Sequence, residues 1–341
     1  MNDWQIFKGN SEPYDNWELP ESPKWRPFGK EINPNQSRSE IRGETFQPRE
    51  EEIKMVNAAL YLRRPLLITG KPGTGKSSLA YAVARELMLG EVLYWPITSR
   101  TILKDGLYNY DAIARLQEVK QQQKPSNLSL KQEKKQQASS IEDYITLGPL
   151  GTALLPSTKP RILLIDEIDK SDIDLPNDLL NIFEEGRFEI EELVRLKKEI
   201  PTVNVRTAYT ADISHEIKEG RVNCTTFPFV ILTSNGERDF PPPFLRRCLR
   251  LTMKEPDKEH LVKIIAAHLG KEIADPDNST KLTNEALDTL VDNFIKERET
   301  KTLANDQLLN VLFMVTKGRI ETKDALIKQL LQDLGQVEED E

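Results

Sequence analysis

Cysteine is nearly absent from this chain of 341 residues. There are two, Cys224 and Cys248, far apart and with no second pair. That excludes a disulfide framework or a zinc knuckle and fits a reducing cytoplasm. Histidine is as scarce, and His215, His260 and His268 show no metal-ligand spacing; they read as ordinary structural or surface residues. No apolar run approaches the ~20 residues needed to span a bilayer. The first residues, MNDWQIFKGN, lack a basic segment followed by an apolar one, so no secretory signal is expected. Bulk positive charge is missing too: the net charge of −8 argues against a general polyanion-binding surface and leaves room only for a local basic groove. What is present is ordinary for a globular protein, with 30% charged and 38% hydrophobic residues. The length suits two domains, or one large domain with a lid.

Residues 1–46 are rich in Trp, Pro, Asn and Gly and have no periodicity. Trp4, Trp17, Trp25 and Phe28 read as anchors of an extended arm rather than as parts of a solvated tail. From Pro48 the pattern turns helical, with acids in the first turn and Ile53, Val56, Ala59 and Leu60 on one face. Three apolar runs, PLLIT, RILLID and FVILTS, predict buried strands of a parallel sheet; EVLYW and CLRLT are weaker candidates. Helical stretches separate several of them, as βαβ construction requires. Residues 118–140 are Gln/Lys-rich and lack a hydrophobic face, which predicts a mobile surface insertion; its basic character leaves a nucleic-acid contact open. After Pro256 four helical patterns follow, the first ending at Gly270, and an acidic tail closes the chain at 336–341.

The stretch PLLITGKPGTGKSSLA carries the strongest motif. Gly70, Gly75, Lys76 and Ser77 match G-x-x-x-x-G-K-[ST] between an apolar strand and a helical pattern. Glycines let backbone N–H groups curl around phosphate oxygens, with the N-terminus of the next helix behind them. The expected nucleotide-binding set is Gly70, Lys71, Pro72, Gly73, Thr74, Gly75, Lys76, Ser77 and Ser78. Lys76 would reach the β- and γ-phosphates, and the Ser77 hydroxyl would ligate Mg²⁺. Further on, RILLIDEIDKSD delivers Asp166 and Glu167 to the C-terminal edge of a strand, where ligands of open α/β sheets bind. Asp166 would hold Mg²⁺, directly or through water, and Glu167 would polarise an attacking water as general base. A nucleoside kinase would instead need an acceptor site, and a guanine switch an N-K-x-D element that is absent.

FVILTSNGERDFPPPFLRRC then ends a strand in Ser234 and Asn235, a polar tip placed for the γ-phosphate and lytic water, followed by Arg246 and Arg247. In this combination the sequence resembles the AAA+ ATPases, in particular the MoxR-like branch and its relatives McrB and the dynein-related group. The resemblance implies an α/β P-loop core at 47–255 with a central parallel sheet flanked by helices. A smaller helical lid at 256–335 follows, and an insertion at 189–226 interrupts the core, where Phe188/Ile190 and Val203/Val205 alternate as hairpin strands do. It implies Asn235 as sensor 1, and Arg246, with Arg247 as second candidate, as a finger into a neighbouring subunit's ATP, an effect worth about 10³–10⁵ in rate. LGPLGTALL sits where the branch carries a Gly-Pro element. No arginine stands at the expected sensor-2 place, where Asn305, Asp306 and Gln307 are found.

By that resemblance the expected protein is a cytoplasmic, Mg²⁺-dependent ATPase assembled as a homo-oligomer, a six-membered ring. It would use hydrolysis to remodel a protein partner, which in the branch is often one with a von Willebrand A domain. Two other readings stay open: a nucleotide-driven motor on nucleic acid working with a nuclease, as in McrB, and a slow ATP-dependent oligomerisation switch. The basic residues of 120–135 and LVRLKK are the motor's only support, and the net charge opposes it.

Overall fold

The computed structural model describes residues 43–122, 141–209, 213–273 and 282–335, with scattered positions between 6 and 25 that include Trp25. Trp4, Trp17, Phe28, residues 123–140 of the Gln/Lys-rich stretch and the tail 336–341 lie outside the described residues. The chain divides into two units. One, the sheet unit, comprises Pro48–Gly70 and Lys76–Met253; the other, the helical unit, comprises Met1–Gln47, Lys71–Gly75 and Lys254–Glu341.

In chain order the sheet unit begins α1 (Glu50–Leu62), β1 (Leu66–Thr69), α2 (Lys76–Glu86), β2 (Leu93–Pro96), α3 (Leu103–Leu107), β3 (Tyr108–Tyr110) and α4 (Ala112–Gln122). It continues β4 (Ile145–Leu147), α5 (Pro149–Ala153), β5 (Ile162–Asp166), a 3-10 turn (Ile168–Lys170), α6 (Asp174–Glu185), β6 (Arg187–Glu189) and α7 (Glu191–Leu196). Then come β7 (Thr202–Arg206), β8 (Ser214–Lys218), β9 (Arg221–Asn223), β10 (Phe229–Ser234), α8 (Pro242–Arg247) and β11 (Leu249–Thr252).

Five of these strands form a wholly parallel sheet in the order β11-β1-β10-β5-β2. β5 and β10 read as unbroken apolar runs because both faces are covered: Ile162 to Ile165 and Phe229 to Leu232 are all buried. The weaker candidate runs supply the outer strands β2 and β11. A second sheet, in the order β3-β4-β7-β8-β9-β6, is antiparallel except where β4 meets β7. One core joins both sheets. Leu67, Trp95, Ile165 and Leu232 from the first share it with Val203, Val205, Ile217 and Val222 from the second. Burying each such side chain contributes about 1.5–3 kcal/mol.

The stretch 189–226 thus belongs to the second sheet. Phe188 and Val203 lie in different pairings, β6 with β9 and β7 with β8. The Gly-Pro element forms α5, and Gly151 has a steric reason: a Cβ there would lie 1.9 Å from the Leu107 carbonyl oxygen. Residues 118–122 extend α4 rather than opening a loop.

The buried face of α1 is rotated from the expected one. Val56 and Ala59 are buried, but Ile53 is 48% exposed and Glu52 takes the inward place. Glu52 accepts the N–H of Arg49 at 2.8 Å, closing the helix N-terminus, and burial outweighs that bond in raising its pKa.

The helical unit packs α9 (Lys258–Ile273), α10 (Asn284–Arg298), α11 (Asn305–Thr316) and α12 (Leu326–Leu330) around Leu261, Ile265, Val291, Phe294, Val311 and Leu312. α9 runs through Gly270 instead of stopping there. One helical glycine costs only about 1 kcal/mol, and buried Leu269 keeps the segment packed. Trp25 joins this core, edge-on to His268 and Phe313 with ring centroids 5.7 Å away in each case, and its Nε1–H donates to Asn310 at 3.3 Å. Among the described residues no helix is long and apolar enough to cross a membrane.

Candidate active site

β10 lies between β1 and β5, so the strand ends that carry the phosphate loop, the acidic pair and the polar tip are adjacent at one sheet edge. Lys76 opens α2 and is 8% exposed. Its ammonium donates to the Gly70 carbonyl at 2.7 Å and to Asn235 Oδ1 at 2.8 Å. Desolvation lowers its pKa; Asp169, Asp166 and Glu167 oppose that shift by their charge.

Asp166, the last residue of β5, accepts three hydroxyl protons. Ser77 Oγ and Thr233 Oγ1 each donate to Oδ1 at 2.6 Å, and Tyr94 donates to Oδ2 at 3.2 Å. The Tyr94 pKa is pushed up to about 12, first by burial and then by Asp166 itself, which keeps the phenol a donor. With its proton turned to Asp166, Ser77 keeps its lone pairs for a hard cation. An all-oxygen donor set of one hydroxyl and one carboxylate suits Mg²⁺ bound together with phosphates.

Glu167 follows in a left-handed conformation, φ 61° and ψ 48°. Its N–H donates to Thr233 Oγ1 at 2.9 Å, and its carboxylate, 42% exposed, receives the Lys170 ammonium at 2.7 Å. The structure therefore brings together Lys76, Ser77, Asp166 and Asn235 by direct contact, with Glu167 joined to Asp166 through Thr233. Ser234 is fully buried, its hydroxyl accepting the Gly236 N–H, so it presents no polar tip.

Arg246 and Arg247 end α8 and separate into two kinds. Arg247 donates to Glu184 at 2.5 Å and is half-buried. Arg246 is exposed, and its guanidinium has no partner among the described residues. Arg64 holds the C-terminus of this helix by donating to the carbonyls of both residues.

The loop tip Lys71, Pro72, Gly73, Thr74 and Gly75 falls in the helical unit. Thr74 Oγ1 donates to the Lys71 carbonyl at 2.9 Å, and Lys71 pairs with Glu255 at 3.0 Å. Gly73 has φ 73°, and a Cβ on it would stand 2.4 Å from the Ala304 Cβ. At the place without a sensor-2 arginine, the Asn305 amide donates to the Gly73 carbonyl at 2.9 Å and accepts from Arg298 Nη2 at 2.5 Å. Ser78 lies within α2, half-buried.

Thr233, Tyr94 and Asp169 touch this machinery, yet sequence reasoning did not single them out. Thr233 lies inside an apolar strand, and Tyr94 on a strand with no motif. Asp169 follows an acidic pair in which a third acid resembles a cap. Of these, only Thr233 had a usable signal, a hydroxyl closing an apolar run two residues before Asn235.

A family model described as an AAA domain of the dynein-related subfamily matches residues 65–248, more than half of the chain. The match spans β1 to the end of α8 and so includes every residue named above except Arg64, Glu255, Arg298, Ala304 and Asn305. No curated protein matches the chain.

Proposed function

The chain belongs to the dynein-related AAA family of P-loop ATPases, and on that premise we propose that it is a Mg²⁺-dependent ATPase of MoxR type, hydrolysing the phosphoanhydride bond at subunit interfaces of a ring, a hexamer by the branch's habit, to remodel a protein partner. The observation that carries the ATPase reading is the contact of Lys76 with Asn235 beside that of Ser77 with Asp166. A triphosphate at the start of α2 would meet the Lys76 ammonium and the helix N-terminus. Mg²⁺ held by Ser77 and Asp166 neutralises phosphate charge when bound. Glu167 takes a proton from the attacking water, and Asn235 orients that water or the γ-phosphate. The half-exposed carboxylate of Glu167 suits a base that must meet solvent-derived water.

The interface reading rests on the difference between the two arginines. A finger must be a cation without a partner in its own subunit. Among the described residues Arg246 meets that condition and Arg247, committed to Glu184, does not. A reducing cytoplasm suits the two free thiols, since burial pushes Cys248 up to about 12 and also raises Cys224.

The test is ATP turnover per protomer across a range of protein concentrations, for the parent, Arg246→Ala and Arg247→Ala. Turnover should rise cooperatively with concentration. Arg246→Ala should lose about 10³-fold or more in kcat with ATP binding kept, and Arg247→Ala should lose far less. Concentration-independent turnover that ignores both arginines would mean a catalytically complete monomer and would end the ring reading.

A further inference from the structure

Asp169, in the 3-10 turn after Glu167, is 3% exposed. Its Oδ2 accepts two backbone N–H groups, from Asn235 at 2.9 Å and from Glu237 at 3.1 Å. Its Oδ1 is equally buried and has no hydrogen-bond partner among the described residues. A carboxylate so far from water is costly unless paired or hydrogen-bonded, and a chain that keeps one has a use for it. Gly236, at the centre of the 235–237 turn, has φ 80°, and nothing lies within 4 Å of where its Cβ would be. The centre of the turn is thus open to solvent, and its N–H groups are taken up by Asp169 and by the Ser234 hydroxyl.

The bonds run in both directions. Thr233, from the sensor strand, holds the N–H of Glu167, while Asp169, from the acidic segment, holds the N–H of Asn235. A third stitch, from Arg238 Nη1 to the Ser171 carbonyl at 2.7 Å, lies beyond them. Two segments laced reciprocally cannot slide past one another without breaking both bonds. The lacing fixes the distance between the general base and the amide that contacts Lys76.

We propose that Asp169 is a positioning residue for ATP hydrolysis: by holding the 235–237 turn through two N–H groups, it sets where the Asn235 amide stands relative to Glu167 and Lys76. The proposal rests on the ATPase reading for its consequence, though not for the grip itself. Asp169→Asn keeps an oxygen able to accept both N–H groups, whereas Asp169→Ala keeps none.

The experiment measures three quantities on the full chain for parent, Asp169→Asn and Asp169→Ala: amide hydrogen exchange across 234–238, ATP affinity and kcat. Loss of bonds to a buried charged acceptor should speed exchange there roughly tenfold or more in Asp169→Ala and lower kcat about 10–100-fold, with ATP affinity within about threefold of the parent. Asp169→Asn should restore protection and bring kcat to within about fivefold of the parent. Unchanged exchange or unchanged kcat in Asp169→Ala overturns the proposal. So does a fall of affinity, kcat and melting temperature together that asparagine does not rescue, because that would be a purely structural role. Should Asp169→Ala not fold, Asp169→Ser, too short to reach both amides, takes its place with the same outcomes. A parent without turnover overturns the ATPase reading instead, and the exchange and affinity arms still decide the grip.

Discussion

Glu167 holds a left-handed backbone that costs a non-glycine residue about 1–2 kcal/mol, and the surrounding bonds must enforce it. The Thr233 hydroxyl does so at the N–H, and the Lys170 N–H does so by donating to the Glu167 carbonyl at 2.9 Å. The Lys170 side chain meanwhile occupies the carboxylate, and the pairing raises the lysine's pKa. On the proposed role, this bond must open before the carboxylate can meet the attacking water. The pair is too exposed for more than about 1 kcal/mol, so Lys170→Met should raise basal kcat by no more than roughly fivefold. Steady-state turnover checks this, with Glu167→Gln inactive in either background; a fall in kcat would make Lys170 a helper of the base rather than a restraint. At this scale the sequence was legible where a motif fixes spacing, as at Lys76, Ser77, Asp166 and Asn235. It was not legible at Tyr94 or Asp169, whose roles come from strands and turns that meet only in the fold.

The parallel strands were legible for a physical reason. β5 and β10 are covered on both faces, so their residues had to be apolar without alternation, and few other elements of that length are. The turn from β5 into α6 was harder to read, because its acids meet three different surroundings: hydroxyls at Asp166, the Lys170 ammonium at Glu167 and backbone N–H groups at Asp169. α1 shows a different failure: periodicity placed Ile53 inside, but Glu52, whose carboxylate accepts the Arg49 N–H, takes the inward place and Ile53 is left in solvent. The two cases predict opposite outcomes for the same kind of truncation. Leu164→Ala, at a fully buried site of β5, should cost about 2–5 kcal/mol in chemical denaturation. Ile53→Ala should stay within about 0.5 kcal/mol. A large loss at Ile53 would mean that the α1 face is covered in solution by something else.

At the scale of the whole molecule, the chain's first described aromatic anchor, Trp25, packs with the last helices, and the division into units does not follow the chain order. An expectation of consecutive domains could not foresee five residues of the phosphate loop falling in the helical unit, since no local pattern distinguishes Lys71–Gly75 from Gly70 or Lys76. Ligand binding should nevertheless register globally. MgATP at about 100 times its Kd should stabilise the protein by ~2.7 kcal/mol, a rise in melting temperature of roughly 3–5 °C for a chain of this length. Lys76→Ala should abolish most of that rise, and an equal rise in the variant would place the nucleotide elsewhere.

Gly73 is ordinarily credited to phosphate, as one more residue whose bare backbone curls around an anion. Here its missing side chain also makes room for Ala304, whose Cβ fills the space that one at Gly73 would need. The two positions share a single methyl's worth of volume, so neither can grow unless the other gives way. In the vocabulary of sequence drift they are one site written in two places, and Ala304 is a phosphate-loop residue in everything except its number.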